Sequence, residues 1–101
     1  MAYIDTASAP DVRMEPNDTE GFFEYGMFYS AGVGVTIDLI EAHKWFNIAA
    51  ARGHGQAARL RREVAELMSD SEIGQAQRAA RDWLKGHPQQ PVHSMQIRAA
   101  A

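Results

Sequence analysis

Phe22-Phe23-Glu24-Tyr25-Gly26-Met27-Phe28-Tyr29-Ser30-Ala31-Gly32-Val33-Gly34-Val35, continued by Asp38, Ala42, Trp45, Ala49, Ala50, Gly53 and Ala57, is the stretch that decides the fold. Phe22, Tyr25, Gly26 and Tyr29 stand at i, i+3, i+4 and i+7, one apolar stripe of a helix. Gly26 inside that stripe gives up about 1 kcal/mol of helix propensity relative to Ala. A glycine on a buried helix face marks a crossing with no room for a side chain. Gly32 and Gly34 end the helix and turn the chain, because glycine takes left-handed conformations without a steric penalty. Asp38 with Glu41 reads as a capping box opening a second helix. Ala42, Trp45, Phe46, Ala49 and Ala50 form its inner face, and Gly53 stands where a C-terminal glycine belongs. The stretch predicts a helical hairpin packed along its length.

The spacing of Tyr25-Gly26-x-x-Tyr29, Gly32-x-Gly34-Val35, Asp38, Ala42, Trp45, Ala49-Ala50, Gly53 and Ala57 resembles the Sel-like repeat, a relative of the tetratricopeptide repeat. The match covers one full repeat, and Tyr25 stands where the family usually has leucine. The resemblance implies an α/α solenoid that binds other proteins and carries no catalytic residues. It also implies bacterial regulation or envelope signalling as frequent settings.

Outward from this hairpin the chain is simpler. Residues 1–16 hold Pro10 and Pro16 without a sustained period and read as a flexible arm. Asn17 or Asp18 caps the first helix, and Glu20 lies in its first turn, where the helix dipole favours an acid. A third helix is expected from about Gly55 to Met68, with Ala57, Leu60 and Val64 repeating the earlier stripe and Arg61 in the place of Gly26. Ser69 and Glu72 form a second capping box. Ile73, Ala76, Ala80, Trp83 and Leu84 supply the inner face of a fourth helix, which Gly86 and Pro88 stop. Residues 17–86 are thus the helical-repeat domain, one full repeat and a degenerate second, and residues 87–101 read as a disordered tail. The expected fold is all-α, a short tetratricopeptide-like solenoid of two antiparallel hairpins. Repeat arrays need about three repeats for a continuous core. The chain therefore closes its core through the fourth helix or completes it with a second molecule.

The 101 residues allow one domain, and 46% hydrophobic with 23% charged residues fits a soluble globular class. A net charge of −3 gives no general reason to expect nucleic acid or an anionic membrane. No apolar run approaches a membrane span, and the first residues lack a secretory pattern, so a cytoplasmic setting is expected. The chain has no cysteine, and His43, His54, His87 and His93 form no His-x-x-x-His pair, so neither metal nor cofactor is expected. His43 is assigned to the outer face of the second helix, and His54 to the turn before the third helix or to that helix's cap. Glu20 with Glu24, and Glu63 with Glu66, read as solvated faces, because paired acids need an enclosed apolar pocket for acid–base chemistry. Gly32-Val33-Gly34 lacks the strand of a phosphate loop. Enzyme activity is not expected.

The first helix carries more apolar surface than one stripe requires. Phe23 and Met27 form a second i, i+4 stripe, and Phe28 lies on a further side. Packing beneath the third helix or the arm is one reading, and an exposed patch for a partner is the other. The resemblance places first helices of hairpins on a concave surface, which implies a protein-binding role there. The candidate contact residues are Phe23, Met27 and Phe28, with Arg59 and Arg62 from the third helix. Phe22, Tyr25, Gly26, Tyr29, Ala42, Trp45, Ala49 and Trp83 are assigned to the core. The function expected is a protein–protein interaction module, an adaptor or scaffold. The alternatives are a homodimer built on the same patch and a nucleic-acid regulator using Arg52, Arg59, Arg61 and Arg62. Arg59–Glu63 and Arg62–Glu66 pairs make those arginines read mainly as a solvated mixed-charge face.

Overall fold

The computed structural model describes residues 15–89, which form four α-helices. They are α1 (Thr19–Ala31), α2 (Leu39–Ala51), α3 (Ala57–Ala65) and α4 (Asp70–Gly86). The expectations for residues 1–14 and 90–101, most of the arm and of the tail, lie outside the described residues.

Local chemistry sets the ends of these helices. Asp18 caps α1 by accepting the Gly21 N–H at 2.7 Å. Gly32, at φ 75°, ends α1, and its N–H donates to the Phe28 carbonyl at 2.8 Å. The loop turns again at Gly34, also at φ 75°, and closes where the Asp38 N–H donates to the Tyr29 carbonyl at 3.0 Å. Gly53, at φ 97°, completes a Schellman end to α2, with Gly53 N–H on Ala50 O and His54 N–H on Ala49 O. Ser69 and Glu72 make the full reciprocal capping box of α4. The box expected at Asp38 is only half formed. Asp38 accepts the Glu41 N–H at 3.1 Å, but the Glu41 carboxylate turns to the Trp45 indole N–H at 3.1 Å and to Lys44 at 3.1 Å. Glu41 thus orients a core tryptophan instead of returning to the cap. At the far end of α4, Gly86 remains in the last helical turn and His87 takes the cap position.

The core gathers around α2, which packs on α1, α3 and α4. With neighbours on three sides, α2 buries Ala42, His43, Trp45, Phe46, Ile48 and Ala49, well beyond a single stripe. Packing between α3 and α4 is less extensive than any of these three contacts. One cluster joins Phe22, Trp45, Ile48, Ala49, Ala57 and Ala80, with Trp83 and Leu84 against its edge. Phe22 stacks on Trp45 at 6.0 Å, and Trp83 meets both rings edge-on at 5.2 and 5.6 Å. A second cluster joins Ala42, Phe46 and Val64, flanked by Leu39, Leu60 and Met68. The fourth helix contributes buried Ala76 and Ala80 to this core. Tyr25, Tyr29 and Trp83 are half-buried.

His43 contradicts its assignment to the outer face. It is 2% exposed, because α2 has no outer face at that position, and its Nδ1 has no hydrogen-bond partner among the described residues. Burial, and then the nearby Arg61 charge, lower its pKa from the usual histidine value. Among the described residues no helix is long and apolar enough to cross a membrane.

Candidate functional site

Where α1 and α3 flank α2 they leave an apolar groove of about 250 Å³. Phe46 and Val64, both buried, form its floor, and Leu39 and Leu60 its half-buried walls. Its rim is formed by Met27, 41% exposed, and Leu67, 74% exposed. Large apolar side chains held this open to water lose hydration cost once covered, at roughly 25 cal/mol per Å². Leu67 is kept out of the core by the tight turn after α3, in which its N–H donates to the Val64 carbonyl at 2.9 Å.

The structure distributes the five sequence-predicted contact residues unequally. Met27 lies on the groove rim. Phe23 is half-buried: its ring stacks on His54 at 4.0 Å and lies 5.7 Å from Phe46. Phe28 packs toward Tyr25, with ring centroids 5.8 Å apart, and does not line the groove. Arg59 is exposed and pairs at 2.9 Å with Glu63, itself a groove residue. Arg62 is exposed, and among the described residues no ion pair joins it to Glu66. Leu60 and Leu67 were not among the predicted contacts. Their signal was present, since extending the Leu60, Val64 spacing by three residues reaches Leu67.

The two remaining arginines of the expected cluster, Arg52 and Arg61, are engaged. Arg61 donates to Asn47 Oδ1 at 2.7 Å. Arg52 donates to the His87 carbonyl and lies 5.7 Å from the Trp83 ring. Burial, followed by Glu41, Tyr25 and Asp38, raises the pKa of the Tyr29 phenol above its ordinary value, so it stays neutral near pH 7.

A second, more polar cleft of about 520 Å³ opens between residues 15–19, the end of α2 and the end of α4. Phe22, Arg52, Trp83 and His87 line it, opposite Glu15 and Asp18. Among the described residues, no three His, Asp or Glu side chains converge as a metal ion would need. Comparison of the chain with protein-family models and with curated proteins finds no match.

Proposed function

We propose that this chain is a protein–protein interaction module, an adaptor or scaffold of regulatory type, that binds rather than catalyses. The observation that carries the reading is the Met27–Leu67 rim, two exposed apolar side chains over a groove floored by Phe46 and Val64. A protein partner inserts an apolar side chain between them, and Arg59 and Arg62 on α3 meet polar or acidic groups beside it. The Sel-like resemblance supports this role through the residues quoted for it, and with it the reading of the four helices as a minimal solenoid of two hairpins. In the same reading the module works in the cytoplasm and needs no cofactor.

Self-association through the same rim is the second reading, because Met27 and Leu67 are exposed apolar side chains that a second copy would cover. Nucleic-acid binding is less supported, because Arg59 and Arg61 are already held by Glu63 and Asn47.

A photo-crosslinking residue at Met27 tests the proposal, with light scattering over a range of concentrations beside it. The expected result is a specific crosslink to a protein that disappears when Leu67→Glu is added. An unchanged crosslink in that variant would exclude the groove. A mass that doubles with concentration, and reverts in Leu67→Glu, would establish the self-association reading instead.

A further inference from the structure

His87 follows α4 and stacks on Trp83, with ring centroids 4.0 Å apart and planes 7° apart. Both of its ring nitrogens face acceptors. Nδ1 lies 2.8 Å from the Trp83 carbonyl oxygen, and Nε2 lies 3.5 Å from Glu15 Oε1. A carbonyl oxygen only accepts, so Nδ1 carries a proton. An ionised carboxylate also only accepts, so attraction to Glu15 needs a second proton on Nε2. The ring that satisfies both contacts is the imidazolium. A neutral ring protonated on Nδ1 turns a lone pair toward Glu15.

His54 provides the contrast. Its Nδ1 accepts the Gln56 N–H at 3.2 Å, which leaves an Nε2–H to meet Glu20 at 3.3 Å. A neutral ring satisfies both partners there. Of these two histidine–glutamate contacts, only that of His87 calls for the cation.

We infer that Glu15 and His87 form a proton-dependent clasp, which holds the residue 15–18 segment against the end of α4 when His87 is charged and releases it when His87 is neutral. Glu15 Oε1 also accepts the Trp83 indole N–H at 3.2 Å, so release frees Trp83 as well. Every charge around the ring enters this balance. The charged groups that share the cleft with the ring are Glu15, Asp18 and Arg52, the last bound to the His87 carbonyl. Opening widens the 520 Å³ cleft and exposes the Trp83 face and the Arg52 guanidinium.

The indole N–H resonances of the full chain test this from about pH 5 to pH 8. Trp45, whose indole is bonded to Glu41 at 3.1 Å, serves as the internal control for the fold. The Trp83 resonance is expected to shift across that range while Trp45 holds. Glu15→Gln and His87→Gln, both at exposed positions, are expected to abolish the shift. A Trp83 resonance that is flat in the unsubstituted protein, or that titrates identically in His87→Gln, overturns the clasp.

Discussion

The ring of Phe46 occupies the place of a side chain at Gly26: a Cβ built on Gly26 would lie 2.5 Å from both Cδ1 and Cε1 of that ring. Alanine there gains about 1 kcal/mol of helix propensity but forces apart a packed crossing, at a typical cost of about 1–3 kcal/mol. Phe46 is 1% exposed and packed among Ala42, Val64 and Phe23, so the ring yields only by disturbing those contacts. Gly26→Ala is therefore expected to lower the urea midpoint. A midpoint equal to or above that of the unsubstituted protein would show that the ring relocates freely.

His43 sets a pH dependence of stability. Its folded-state pKa is lowered, first by burial and then by Arg61, so the folded protein disfavours the charged ring. Above the unfolded histidine value, about 6.5, both states hold it neutral and no penalty applies. As pH falls below that value the unfolded chain takes up the proton first, and stability drops until the folded-state pKa is passed. Unfolding midpoints at several pH values should fall on acidification and fall less in His43→Leu. An equal fall in the variant would move the cause to another group.

Leu67→Ser should separate binding from folding. At 74% exposure Leu67 contributes little to the core, so stability should change by no more than about 0.5 kcal/mol while partner crosslinking is lost. Trp45→Ala, at a 3% exposed position, should cost about 3–5 kcal/mol. Phe23→Ala belongs between them, because its ring is shared by Phe46 and His54. Thermal melts of the three variants should follow that order, and a Leu67→Ser melt as low as that of Trp45→Ala would place Leu67 in the core.

Ser69→Ala removes one arm of the reciprocal box at the start of α4. The loss should be about 1 kcal/mol, with faster amide exchange at Glu72, whose N–H the Ser69 hydroxyl accepts at 3.1 Å. Unchanged exchange at Glu72 would mean that water replaces the hydroxyl without loss.

What was legible in the sequence follows a physical division. Asp18, Ser69 with Glu72, and Gly53 act on backbone groups within a few residues of themselves, so the helix ends they set could be read directly. The close approach at Gly26 was legible because a glycine inside an apolar helical stripe gives up helix propensity, and a tight crossing is what offsets that loss. The candidate groove was half legible: Met27 stood out as surplus apolar surface, whereas Leu67, three residues beyond the Leu60 and Val64 stripe, was not singled out. Only the tertiary structure decided that the turn after α3 leaves Leu67 in water, that Phe23 is taken up by Phe46 and His54, and that Glu41 serves Trp45 rather than its cap. It also decided that His43 is buried. Each of these outcomes depends on which helices meet α2 and at what angle. Three helices crowd onto one, and no local period along α2 records how many of its sides will be covered.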